Sequence, residues 1–328
     1  MNTGILKTKK SIIVPEVDIK LPILNKTDRA NLEVAAQQGF AWIAASFVSS
    51  AKDVREIRSY IRKCGKDIPI ISKIENRKGI ENISEIVQES DGIMVARGDL
   101  GLEYNYEQVP ILQEQIVTEA KKYGKVAIIA TQMLNTMIES SRPSRPEVSD
   151  ISHAIRSKVD AVMLSGETAS GKYPVQAVTA MARIASTSEQ HYFNHEIFKY
   201  QDSYRLATFC EMAIQLALAL DAKAIIGISN KGKTACYLSA FRANLPKIIA
   251  TQDQDIFHRC FLYYGVIPVM MKLVGTKREL FLDIIKQCKD KKYFRKGDIF
   301  IHLFTHDPDR ISKQHLLATN SIREEIVE

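Results

Sequence analysis

Two stretches of this chain run from unbroken apolar residues straight into charged ones: IISKIEN at 70–76 and DGIMVARGDLGLE at 91–103. An apolar run without alternation is how a strand buried on both faces reads, and parallel sheets are the usual home of such strands. With further apolar runs, the strands fall near residues 41, 68, 92, 126 and 161, spaced 24 to 35 residues apart, the period of a strand–helix unit. Amphipathic segments fill the intervals. Each run ends in polar residues, which is how the carboxyl-end face of a (β/α)₈ barrel reads. Only five such units occur, so the first half predicts a partial TIM-type barrel, five of eight βα units.

A second alternation follows. Residues 192–205 (YFNHEIFKYQDSYR with its flanks) are polar and aromatic and read as a linker or helix extension. Helices are expected at about 206–220, 231–241, from about 252 to Tyr264, and at 276–288. Strands are expected at 224–229, 247–251, 266–271 and 298–304, with a last strand-like stretch around 321–327. This pattern predicts a smaller, open α/β domain over 206–328. Residues 1–20 hold two short β-like stretches broken by Pro15 and Pro22 and belong to neither unit, so the barrel segment spans 21–191.

Composition enters mainly by exclusion. No apolar run approaches the roughly 18 residues that suggest a membrane span, and the first residues lack the apolar core of a signal peptide. Five scattered cysteines show neither metal-ligand spacing nor a disulfide framework, which fits a reducing, cytoplasmic setting. The formal net charge of +7 suits anionic small substrates, while interleaved lysines and acids argue against nucleic acid as a partner.

The strand tips carry the candidate chemistry. Lys73 and Glu75 stand two apart and so share a face. They read either as an interior ion pair or as a metal ligand beside the charge that stabilises an enolate or a transferring phosphoryl group. Asp99 follows Gly98, where a missing side chain admits close approach of the main chain; it would be the second metal ligand, for Mg²⁺ or Mn²⁺. Arg97 could neutralise an anion or serve as a subunit contact. Thr131 ends a strand in ATQM, where its hydroxyl could orient a proton or bond its own backbone. Arg142 and Arg145, in the loop SRPSRPEVSD, are candidate interface or anion contacts. Lys231 and Lys233, in SNKGKTA, mark either a phosphate-binding turn or an ordinary helix start.

Several longer stretches resemble the pyruvate kinase family: ASFV (45–48), ISKIEN (71–76), DGIMVARGDLGLE (91–103), IIATQMLNTMIESSRPSRPEVSD (128–150) and VMLSGETASGKYPVQAV (162–178). YGVIPVMM (264–271) and TNSIR (319–323) extend the resemblance into the second domain. It implies phosphoryl transfer from phosphoenolpyruvate to ADP, giving pyruvate and ATP, with a divalent cation and potassium. Matched residue by residue, Glu75 and Asp99 would hold Mg²⁺, Lys73 would stabilise the enolate and Thr131 would lie by the methylene carbon. The main chain at Arg97, Gly98 and Asp99 would hold the substrate carboxylate.

The resemblance also implies that residues 1–20 are the last strands of a lid domain returning to the barrel. The family's first three barrel strands would lie upstream. Those strands and the lid carry the phosphate-gripping arginine, the potassium (K⁺) ligands and an arginine near the ATP phosphates. The 328 residues alone are therefore expected to be inactive, completed by further copies or by a partner chain; the alternative is a non-catalytic homologue acting as a binding or assembly subunit. Oligomers are expected from the family. Ser144, Pro146, His153 and Lys158 replace the family's usual threonine, alanine, asparagine and glycine, and FTHDPDRISKQH (304–315) replaces its Gly-rich effector loop.

Overall fold

In the computed structural model, the five apolar runs of the first half form five parallel strands in the order in which they occur in the chain. The structure describes residues 22–192, 205–271, 277–290, 297–304 and 316–321, with Tyr293 and Arg295. The expectations for residues 1–20, for all but the ends of 192–205 and for 305–315 lie outside these residues.

Helix α1 (Lys26–Gln38) leads into β1 (Ile43–Ala45), α2 (Ala51–Lys63) and β2 (Ile70–Ile74). Then come α3 (Arg77–Glu81), α4 (Ile83–Glu89), β3 (Gly92–Ala96), α5 (Arg97–Glu103) and α6 (Val109–Lys122). Strand β4 (Val126–Ala130), α7 (Arg145–Arg156), β5 (Ala161–Met163), α8 (Gly166–Ala169) and α9 (Pro174–Tyr192) complete the unit. Sequential order with every neighbour parallel is the arc of a barrel; a doubly wound sheet would reverse direction partway. Among the described residues β1 and β5 each have one neighbour, so the arc is open at both sides.

Alternate residues divide the strands between two apolar layers. Ile70, Ile74, Ile93, Val95, Ala127 and Ile129 face the helices in one continuous core. Ile71, Met94, Ile128 and Ala130 face the opposite way and meet Trp42, Leu262 and Tyr263.

The local corrections to the sequence reading have physical causes. The apolar run near residue 41 yields a strand of only three residues, and Phe47, at φ 56, lies outside the extended region. Helix α1 is capped by Asn25 through a reciprocal box with Asp28. Helix α7 starts at Arg145, inside the stretch SRPSRPEVSD, because Ser144 and Glu147 form a second such box. Arg145 therefore sits in a first helical turn, not in a loop. Two short helices, α5 and α8, follow the tips of β3 and β5.

The second unit comprises α10 (Arg205–Ala219), β6 (Ala224–Ile228), α11 (Lys233–Ala240), β7 (Lys247–Thr251) and α12 (Gln254–Cys260), then β8 (Val266–Met270), α13 (Lys277–Asp290), β9 (Ile299–Phe304) and β10 (Leu316–Ser321). The sheet order is β10-β9-β6-β7-β8, with only β10 antiparallel. The last described strand lies at 316–321, and the expectation for 322–327 lies outside the described residues. Apolar clusters cover both faces of this open sheet. All five cysteines are free thiols.

A buried seam joins the units. Asp160, just before β5, accepts hydrogen bonds from Ala127 N at 2.8 Å and Tyr264 N at 3.1 Å. Both guanidinium arms of Arg242 donate to its carboxylate at 2.5 Å, and both side chains are 2% exposed. Lys247 is wholly buried nearby; its Nζ donates to Ala243 O at 2.5 Å and lies 4.8 Å from the centre of the Tyr264 ring. Trp42 Nε1 donates to Arg259 O at 3.3 Å, and the indole meets Tyr263 edge-on at 5.9 Å.

Candidate active site at the strand tips

The carboxyl ends of β1 to β4 converge on one cluster. Strand β2 projects Lys73 inward, and the next inward position is Glu75, one residue past the strand. Lys73 Nζ donates to Glu75 Oε1 at 2.7 Å and to Ser46 Oγ at 2.8 Å. Glu75 is 2% exposed, and its other oxygen accepts the Phe47 amide at 2.6 Å. The left-handed turn at Phe47 aims that amide at the carboxylate.

Burial pushes the Glu75 carboxyl up from its ordinary value. Lys73 and the Phe47 amide oppose the shift, and the negative charge of Asp99 adds to it. A buried carboxylate destabilised by a second one is a pair short of positive charge, the condition a cation relieves. Among the described residues no group of three or more His, Cys, Asp or Glu converges as a metal cage. Two carboxylates suit Mg²⁺ or Mn²⁺, which commonly take one or two protein ligands and fill the remainder with water and substrate oxygens. Glu75 and Asp99 fit that donor set.

Thr131 follows β4 with φ 71, and Gln132 with φ 55. The left-handed region is costly for any residue but glycine and most so for a β-branched one. The Thr131 hydroxyl accepts the Gly98 amide at 2.8 Å. A Cβ on Gly98 would lie 3.4 Å from that oxygen, in ordinary contact. With its acceptor side engaged, the hydroxyl retains its proton for another group.

Arg97 is placed differently from its neighbours in sequence. Its side chain is 8% exposed and turned into the protein. Nη1 grips both oxygens of Asp150 at 2.8 and 2.6 Å, and Nη2 donates to Thr131 O at 2.7 Å and Gln132 O at 3.1 Å. The anion it neutralises is thus an aspartate of α7. Arg142 and Arg145 are exposed and away from the cluster; Lys231 and Lys233 are exposed at the start of α11, in the other unit.

Four contributors escaped the sequence reading. Ser46 and the Phe47 amide come from the end of β1, and Asp150 from the end of a motif noted for its arginines. Glu167, also 2% exposed, accepts the amides of Leu134 at 3.0 Å and Ser165 at 2.8 Å, tying the turns after β4 and β5 together. A lone acid in SGETAS gives no sign of that role. The substituted positions are accommodated locally: Ser144 caps α7, Pro146 sits in its first turn and His153 Nε2 lies 2.9 Å from Glu114 Oε1. Lys158 takes φ 58, a conformation that glycine adopts at no cost.

The family profile described as "Pyruvate kinase, barrel domain" matches residues 1–178, and that described as "Pyruvate kinase, alpha/beta domain" matches 207–309. A protein named pyruvate kinase from Borreliella burgdorferi is 46% identical over 270 residues, covering 81% of this chain and 56% of that protein. One from Clostridium acetobutylicum is 35% identical over 333 residues, covering 100% and 69%. One from Geobacillus stearothermophilus is 39% identical over 306 residues, covering 92% and 52%. The chain thus spans between about half and two thirds of the length of these relatives. With both profiles matched in order, and with the open barrel arc and the α/β unit they describe, the chain belongs to the pyruvate kinase family.

Proposed function

We propose that this chain supplies the enolate-side half of a pyruvate kinase site, serving phosphoryl transfer from phosphoenolpyruvate to ADP. The observation that carries the reading is the convergence of Lys73, Glu75, Asp99 and Thr131 at the ends of three adjacent parallel strands. Glu75 and Asp99 hold the divalent cation, which when bound neutralises charge on the phosphoryl and enolate oxygens. Lys73, fixed between Ser46 and Glu75, places its ammonium where the enolate oxygen develops charge as the phosphoryl group leaves. Thr131 orients the proton that the methylene carbon takes up to give pyruvate. The main chain at 97–99 receives the substrate carboxylate. The nucleotide is ADP or ATP and the monovalent cation is K⁺; the residues matched here include no ligands for K⁺.

The 328-residue polypeptide by itself is expected to turn over negligibly, because the tips of the five described strands line only part of a ring around the substrate. Another copy or a partner chain that covers the open sides of the arc would restore activity. A cytoplasmic location and anion contacts by Lys231 and Lys233 belong to the same reading. The openness of the arc among the described residues also supports a second reading, a binding or assembly subunit without catalysis.

The test pairs two measurements on the purified chain. Manganese binding followed by electron paramagnetic resonance should show one site that Glu75→Gln weakens, and a coupled pyruvate assay should stay far below the roughly 1–10³ s⁻¹ of ordinary enzymes. Turnover in that range would overturn the inactivity, and manganese binding indifferent to Glu75→Gln would overturn the site. Binding without turnover, unrelieved by any partner from the native source, would favour the second reading.

A further inference from the structure

We propose that Arg97 and Asp150 are positioning residues that clamp the turn after β4 in its left-handed form and thereby set the Thr131 hydroxyl. The inference rests on the proposed role of Thr131 and extends it outward to a residue on α7 that touches no reacting group. Two consecutive non-glycine residues in the left-handed region persist only where their surroundings over-determine them. Here one guanidinium does so. Its Nη2 donates to the carbonyls of both strained residues, Thr131 and Gln132, and lies 2.8 Å from Met133 Sδ. Its Nε reaches Thr131 O as well, at 3.2 Å. Its Nη1 is held by both oxygens of Asp150, which fixes the plane of the group. Arg97 also precedes Gly98, whose amide donates to the Thr131 hydroxyl. The turn is therefore bound to the first turn of α5 twice, once by main-chain carbonyls and once by the side chain whose orientation matters.

Removing the Asp150 charge frees the guanidinium to swing, the turn relaxes toward ordinary φ values and the hydroxyl leaves the Gly98 amide. Arg97→Lys should act similarly, because one ammonium cannot span two carbonyls and a carboxylate with the geometry of a planar fork.

The experiment is site-resolved amide exchange by NMR on the ¹⁵N-labelled chain, with manganese binding measured alongside. In Asp150→Asn the Gly98 amide should exchange about tenfold faster or more, while the ladder amides of β3 and β4 hold within about twofold. Manganese affinity at Glu75 and Asp99 should change little, and Arg55→Ala, which breaks an exposed pair with Glu89, should leave Gly98 unchanged. Gln132→Gly supplies a rescue: glycine removes half the strain, so adding Asp150→Asn should then speed Gly98 exchange by less than about threefold. If Asp150→Asn does not fold, Arg97→Lys carries the same expectations. Unchanged Gly98 exchange in the folded variants, or a rise shared by the β3 and β4 ladders, overturns the clamp. No readout needs turnover, so an unaltered chain that fails to bind manganese counts against the proposed function and leaves the clamp result standing.

Discussion

The strand tips and the seam each contain a buried acid with a basic partner, and they differ in how fully the acid is satisfied. At the seam, Asp160 receives two guanidinium hydrogen bonds and two backbone amides, and Ser239 Oγ lies 3.3 Å away. At the tips, Glu75 receives one ammonium and one amide and faces a second carboxylate. The seam lies at the amino ends of the barrel strands and the cluster at the carboxyl ends, the division between stability and chemistry expected of a barrel. A buried ion pair stabilises geometry when its hydrogen-bonding capacity is filled, and remains available for ligands when it is not.

The largest effect should come from removing the satisfied acid. Asp160→Ala strands a buried guanidinium and two amides, and should cost about 3–5 kcal/mol in urea unfolding. A cost below about 1 kcal/mol would erase the contrast between the two regions.

Next comes pH. Burial, together with the nearby Arg242 charge, pushes the Lys247 ammonium down to about 7 from 10.5. From the elements packed around it, Asp160 and Glu189 favour its charged form, and burial raises the carboxyl of Glu189 in turn. Between those two values the unfolded chain binds the proton that the folded chain lacks, so stability rises with pH, by up to about 1.4 kcal/mol per unit. Below about pH 7 both states are protonated and this dependence fades. Lys247→Met should flatten the profile; an equally steep profile in that variant would assign it to other groups.

A smaller effect is expected at the tips. Glu75→Gln should lower manganese affinity roughly tenfold or more, yet change stability by less than about 1 kcal/mol. A large loss of stability would make Glu75 a structural acid like Asp160. A last substitution sharpens the contrast by removing strain that serves no tip residue: Lys158→Gly should stabilise the chain by up to about 1 kcal/mol in thermal unfolding. No change in manganese binding should accompany it.

Where the chain is most apolar, its sequence and its structure agree most closely. Strands β3, β4 and β7 occupy the expected residues, because unbroken Ile, Val and Ala runs bounded by turn residues leave few alternatives. The spacing of Lys73 and Glu75 likewise implied a shared face, and the two side chains meet at 2.7 Å. The destination of Arg97 was not legible, because its partner lies 53 residues away on α7. Helix α5 was hidden for a related reason: Arg97-Gly98-Asp99 reads as a loop, and only contacts with Thr131 and Asp150 fix its first turn. The seam left no trace at all, since Asp160, Arg242 and Lys247 are each unremarkable until two domains meet around them.

Trp42 is the only tryptophan in the chain, and it lies on that seam. Intrinsic fluorescence of the whole protein therefore reports the contact between the domains more than the interior of either. A C-terminal domain that loosened or swung away would expose the indole and shift its emission to longer wavelength while the helical circular dichroism of residues 22–192 stayed intact. Light from one side chain thus separates loss of docking from loss of folding.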